Sequence, residues 1–244
     1  ESSWDAWIKF YRPDENTPNA VVSYYGKGSL VALCLDSLIR ERTRGRKSLD
    51  DVMRLLWRRY GQTGAGVPED GVERAAEEVA GVRLRAFFDR ALRATAELPL
   101  KERLAALGVD CLFRPAESDS DRGGKPSAKP ASALAARPTL GVKLANAAGE
   151  AKLQHVYDGG AAQAAGLSAG DVIVAIDGLR VTARNFEARV GRYKPGDRVR
   201  IHAFRRDELL VFDAVLQAPA ADTCVLAFRP RRSALQRAWL DERL

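Results

Sequence analysis

The segment 115–136 constrains the architecture of this chain most strongly. It reads PAESDSDRGGKPSAKPASALAA, and Leu134 is its only sizeable aliphatic residue. A stretch dominated by Pro, Gly, Ser, Ala and charged residues buries too little apolar surface to offset the entropy of ordering, which favours a linker. The period of the apolar residues differs on its two sides. The sequence therefore predicts two domains, residues 1–114 and 137–218, followed by a tail over 219–244.

Residues 1–114 have the apolar spacing of helices. From about Ser23 the sequence SYYGKGSLVALCLDSLIRER predicts a buried helix, and Ser48 is placed to cap the next one. A third helix is predicted from Pro68 to a C-terminal Gly81. The stripe of the capped helix, predicted to lie in the core, comprises Leu49, Val52, Met53, Leu56, Trp57 and Tyr60. This domain is predicted to be an all-α helical array.

Beyond the linker the pattern changes to short alternating runs rich in β-branched residues. Such runs predict strands, and they read TLGVKLA, KLQHVY, DVIVAIDG, RVRIHAFR and LLVFDAVL. Two short helices are predicted at 160–166 and 183–192, and a closing helix is predicted in the tail. The fold class is therefore α+β in two domains, a helical array followed by a strand-rich barrel or sandwich with two short helices.

Composition excludes several classes of function. The net charge of +7 is dispersed along the chain rather than concentrated as a nucleic-acid footprint, and no apolar run is long enough to span a bilayer. Cys34, Cys111 and Cys224 are far apart, which predicts neither a disulfide framework nor a CxxC zinc site. The two histidines, His155 and His202, form no HExxH motif, so no metal site is predicted within this chain.

The strand-rich part resembles a PDZ domain over about residues 137–218. The resemblance is carried by Leu140-Gly141-Val142, by GAAQAAGLSAGDVI from Gly160 and by Ile176-Asp177-Gly178. It implies a loop whose backbone N–H groups receive a peptide carboxylate, and a peptide that adds as a strand. The peptide-binding residues that it implies are Thr139, Leu140, Gly141, Val142, Phe186 and Val190. Core packing is an equal alternative for Phe186 and Val190, and a PDZ domain that binds no free peptide is the alternative for the whole domain.

The first part resembles the glycyl aminopeptidase family, bacterial and archaeal zinc metallopeptidases of the gluzincin type. The resemblance lies in WDAW with FYRPDEN from Trp4, in VSYYGKG from Val22 and in SLDDVM with RYG from Ser48. It implies an HExxH motif and a third zinc ligand N-terminal to Glu1. It therefore implies a C-terminal fragment that binds no cofactor itself, with zinc expected in the full-length protein and the missing catalytic region as a partner.

The family resemblance also implies one catalytic residue. Tyr25-Gly26-Lys27-Gly28 is similar to the Y-x-K-G motif of related aminopeptidases, whose tyrosine hydrogen-bonds the carbonyl oxygen that becomes an oxyanion. Tyr25 is the candidate and Tyr24 competes with it. The alternative is that Tyr25 is an exposed aromatic residue at the start of a helix.

Two hypotheses from different classes follow. In the first, the chain is an inert fragment of a zinc-dependent aminopeptidase, and its PDZ domain binds peptides or protein C-termini. In the second, the chain is a non-enzymatic peptide-binding or scaffold protein that acts through its PDZ domain. A bacterial protein is expected, and the residues leave a periplasmic or a cytoplasmic location open.

Overall fold

The computed structural model describes residues 5–118, 120–145 and 149–240. The chain forms two compact units, which are described separately. One comprises Glu1–Ser23 with Phe113–Val225, and the other comprises Tyr24–Leu112 with Leu226–Leu244. Helices dominate the second unit and antiparallel strands the first, which confirms the predicted α+β class with two domains.

Helices and strands are numbered along the chain. The helices are α1 (Ala6–Lys9), α2 (Thr17–Ala20), α3 (Tyr24–Thr43), α4 (Leu49–Leu56), α5 (Gly71–Ala80), α6 (Arg85–Leu92), α7 (Leu100–Ala106), α8 (Ala131–Ala135), α9 (Ala161–Ala164), α10 (Phe186–Val190) and α11 (Ala234–Leu240). The strands are β1 (Val109–Arg114), β2 (Val142–Leu144), β3 (Ala151–Val156), β4 (Val172–Ile176), β5 (Leu179–Arg180), β6 (Arg198–Arg205), β7 (Glu208–Val215) and β8 (Thr223–Phe228).

Local sequence signals set the helix ends of the helical unit. Ser48 and Asp51 form a capping box at the start of α4, which satisfies backbone donors that have no partner within the helix. Gly81 ends α5 in the left-handed conformation, with φ of +67°. Both ends agree with the sequence analysis.

The core of the helical unit is smaller than the apolar stripes predict. It brings together apolar residues from α3, α4 and α5 and from the start and body of α6, namely Leu35, Ile39, Val52, Ala75, Ala76, Ala80, Leu84 and Phe88. Met53 and Trp57, predicted to be core, are 58% and 62% exposed. For Trp57 one cause is local, since a π-helical turn over Trp57–Gly61 follows α4 and breaks the 3.6-residue period.

The other unit contains an antiparallel sheet in the order β2-β3-β4-β6-β7, with β5 paired to β4. A two-residue turn joins β4 to β5 through Asp177 and Gly178, whose φ values of +47° and +74° fit a type I′ hairpin. The sheet is open, so the barrel alternative is wrong, and these strands form a single antiparallel sheet. In this arrangement β2 is an edge strand.

One core holds the sheet and its two helices together. Its buried side chains come from every long strand and from α9 and α10, and Leu140, Ile173, Ile201 and Leu216 are among the most deeply buried. Beside it, Asp171 accepts two hydrogen bonds of 2.9 Å from Arg205, which raise the pKa of that guanidinium against the effect of burial. A buried carboxylate is stable here because it is paired.

The segment 115–136 contains its own local structure. Leu134, on helix α8, is fully buried, and Asp121 pairs with Arg114 at 2.6 Å. Hydrogen bonds from that guanidinium and from backbone N–H groups hold the pKa of the Asp121 carboxyl well below its usual range. The domain boundaries at residues 114 and 136 stay predictions.

Within the residues that the structure describes, no helix is long and apolar enough to cross a membrane.

Candidate peptide-binding edge and candidate catalytic tyrosine

Strand β2 offers backbone groups for pairing along its outer edge. Val142 lies opposite Val156, and the N–H of Tyr157 donates to the carbonyl of Gly141 at 2.9 Å. In an antiparallel ladder this places Val142 in a non-hydrogen-bonded pair, so its own N–H and C=O point away from β3. The edge strand can therefore accept a further strand.

The residues before β2 form a fixed loop. Thr139 exchanges two backbone hydrogen bonds with Gln217, at 2.8 and 3.1 Å, and its hydroxyl accepts from the N–H of Gly141 at 3.0 Å. Gly141 has φ of +71°, and a Cβ there would lie 2.9 Å from the Cα of Gly160. Only glycine combines this conformation with this close approach. One N–H of the loop is thus already bonded to Thr139, with which an incoming carboxylate would compete.

Helix α10 contributes its apolar side chains to the core. Phe186 and Val190 are each 3% exposed and belong to the same buried cluster as Leu140, while Val142 packs against that cluster. The structure therefore brings these four predicted residues together. The contacts of Phe186 and Val190 are core contacts, which was the alternative that the sequence analysis kept open.

Tyr25 lies in the first turn of α3 and is 62% exposed. Its ring centroid is 4.3 Å from that of the half-buried Tyr24. The Tyr25 side chain is therefore exposed at a helix start. This position is compatible both with the catalytic reading and with the alternative of an exposed aromatic residue.

Within the described residues, no three His, Cys, Asp or Glu side chains are grouped so that they could hold a metal ion. Zinc therefore finds no set of ligands in this part of the chain. The three cysteines form no disulfide with one another, and burial raises the pKa of the Cys34 thiol, partly offset by Arg103. A buried thiol with a raised pKa is a poor metal ligand.

Sequence reasoning missed a set of contacts beside the peptide-binding edge. The side chain of Asn19 bonds the backbone of Val156 and Asp158, and the ring of His155 bonds the carbonyl of Glu15. These partners are more than 130 positions apart in the sequence. No local pattern could signal them, because asparagine is common in turns and does not indicate a distant partner.

Comparisons with known proteins match both parts. The M61 glycyl aminopeptidase family matches residues 1–31, and the PDZ domain family matches residues 138–216. The crystal structure of an aminopeptidase N family protein from Idiomarina loihiensis is 38% identical, with a TM-score of 0.84 over 98% of this chain. This chain spans 40% of the length of that protein.

Two further structures match about a third of the chain each. The HtrA-type protease AlgW with decapeptide is 26% identical with a TM-score of 0.32, covering 35% of this chain and 30% of its own. A serine endoprotease from Yersinia pestis is 19% identical with a TM-score of 0.31, covering the same shares. A comparison with curated proteins finds no significant match.

The family match at residues 1–31, the PDZ match and the structural likeness over nearly the whole chain agree with one another. The chain belongs to the M61 glycyl aminopeptidase type and carries a PDZ domain.

Proposed function

We propose that the PDZ domain captures peptides by their C-terminal carboxylate, within an aminopeptidase that hydrolyses peptide bonds with zinc. The open edge of β2 is the observation that carries the capture function. Val142 directs its N–H and C=O outward at this edge, and the preceding loop turns at Gly141 as a close backbone approach requires. An extended peptide would pair with Val142 and place its carboxylate at residues 139–142.

The hydrolytic part of the proposal rests on the family and on the Idiomarina loihiensis structure, described as an aminopeptidase N family protein. Zinc would be held by residues other than those described here, since these lack a ligand set. This chain alone is therefore proposed to be inert. What it contributes is Tyr25, whose phenol would donate a hydrogen bond to the substrate carbonyl oxygen as negative charge develops on it.

Replacing Val142 with Pro tests peptide capture. Proline removes the N–H that faces the open edge, and it leaves the bond from Tyr157 to Gly141 in place. We expect binding of decapeptides with free C-terminal carboxylates to weaken at least about tenfold, as for loss of a charge-assisted or ladder hydrogen bond. Isothermal titration calorimetry with the same peptides amidated at the C-terminus provides the ligand control.

Thermal unfolding of the Val142→Pro chain shows whether the domain still folds. Equal binding of carboxylate and amidated peptides, or unchanged binding by the variant, would contradict capture at β2.

The second candidate function is a scaffold whose PDZ domain packs without a free ligand. The buried positions of Phe186 and Val190 favour it, and no peptide binding at millimolar concentration would support it.

A further inference from the structure

The segment 14–20, here called the strap, lies against the end of β3. The Nδ2 of Asn19 donates to the carbonyl of Val156 at 2.8 Å, and its Oδ1 accepts from the N–H of Asp158 at 3.1 Å. One residue before Val156, the Nδ1 of His155 lies 3.0 Å from the carbonyl of Glu15. Three hydrogen bonds thus attach the strap to His155, Val156 and Asp158.

The strap is itself ordered by short-range bonds. The carboxylate of Asp14 accepts from the N–H of Asn16 at 2.9 Å, and the side chain of Asn19 also donates to that of Asn16 at 3.0 Å. Helix α2 then occupies residues 17–20. Both the Nδ2 and the Oδ1 of the Asn19 side chain are hydrogen-bonded, and the residue lies in helix α2. Asn19 can therefore fix the position of the strand that it contacts.

The other side of the same strand end holds the peptide-binding loop. Tyr157, between the two partners of Asn19, donates its N–H to Gly141, and Val156 lies opposite Val142. In this non-hydrogen-bonded pair the carbonyl of Val156 points away from β2. It therefore points to the side where Asn19 donates. Strand β3 pairs with β4 at Ala151 and Lys152, at the other end of the strand.

We infer that Asn19 is a positioning residue for peptide capture and that the strap couples to the loop over residues 139–142 through the end of β3. The inference rests on the proposed capture function. Without Asn19 the carbonyl of Val156 and the N–H of Asp158 lose their partners, so this end of β3 opens more often. The bond from Tyr157 to Gly141 opens with it, and the loop then populates the binding conformation less.

Amide hydrogen exchange, followed by NMR on the full 244-residue chain, tests the coupling without any ligand. In Asn19→Ala we expect exchange at Tyr157, and at Gly141 in the loop, to accelerate about tenfold. The matched control is Gln154→Ala, which removes an exposed amide side chain from the same strand. We expect the control to change those rates less than about twofold, as for an exposed site.

Acceleration confined to Asp158, with Tyr157 and Gly141 unchanged, would overturn the coupling. Should Asn19→Ala not fold, His155→Leu provides the same readout, because it removes the bond to Glu15 together with the ring contact to Tyr157 at 6.5 Å. A folded His155→Leu with unchanged exchange at Tyr157 and Gly141 would then overturn the coupling.

A pool of decapeptides with free C-terminal carboxylates separates this inference from the proposed function. If no peptide of this pool binds the wild-type chain, the capture proposal is wrong. The exchange rates would still show whether the strap and the loop are coupled.

Discussion

Tyr25 is the side chain on which the proposed chemistry of this chain depends. It is exposed at the start of α3, and Tyr24 beside it offers a second phenol. In the whole enzyme we expect Tyr25→Phe to lower kcat/KM by about 10²–10³, the usual loss for one oxyanion donor. Tyr24→Phe is the matched control, with kcat/KM unchanged within about twofold. A Tyr25→Phe enzyme within about twofold of wild type would refute the assignment, and the reversed pattern would transfer the role to Tyr24.

The roles of some single residues can be predicted from the sequence, and those of others cannot. Gly141 is predictable, because a glycine before a short strand in the PDZ pattern signals a backbone constraint, and its φ of +71° confirms one. Phe186 and Val190 share a helix face in the sequence, but only the packing decides whether that face meets a ligand or the core. Asn19 is unpredictable, since its partners come from another part of the chain.

Among the helices, α4 combines a well-predicted start with an unpredicted end. Ser48 and Asp51 form a local capping box, which any sequence of this pattern favours. The π-helical turn at Trp57–Gly61 has no such signature. It places the Trp57 ring over Gly61, where a Cβ would lie 2.2 Å from a ring carbon. Helix starts depend on neighbouring residues, while the face that a helix buries depends on distant ones.

The capping box makes the stability of the chain depend on pH. Burial raises the pKa of the Asp51 carboxyl, but hydrogen bonds from the Ser48 N–H and from Lys47 outweigh it and lower the pKa below its usual value. A depressed pKa stabilises the folded state above the ordinary aspartate pKa of about 3.9, and this contribution is lost as the pH falls through the folded value. We expect Asp51→Ala to lower the free energy of unfolding by about 1 kcal/mol at pH 7.

Urea unfolding at pH 7 and at pH 3 measures this effect. The difference between Asp51→Ala and wild type should shrink at the lower pH, because the contribution of a depressed pKa falls once the pH is below the ordinary aspartate pKa of about 3.9. Asp50→Ala is the matched control, since it removes a carboxylate from the same first turn outside the box, and it should cost a few tenths of a kcal/mol. A cost for Asp51→Ala that is equal at both pH values would show that its charge is not involved.

For the chain as a whole, the division into a helical part and a PDZ part follows from a change in apolar period, which is a property of the sequence alone. The assignment of the strap to the PDZ unit does not follow from it. Residues up to Ser23 lie before the first long helix in the sequence, yet they cluster with Phe113–Val225 in space. The M61 match over residues 1–31 therefore crosses from one unit into the other.

Because the proposed function places the zinc ligands outside the described residues, it predicts that this chain alone has no peptidase activity. Its only imidazoles belong to His155 and His202, and its described residues offer no metal-binding group. We expect the purified chain to release no amino acid from a pool of short peptides, with or without added zinc, and the longer enzyme to do so until a chelator is added. Chelator-sensitive activity in the purified chain would contradict the prediction. If that activity disappeared in a chain carrying His155→Asn and His202→Asn, the metal ligands would have to lie within these 244 residues.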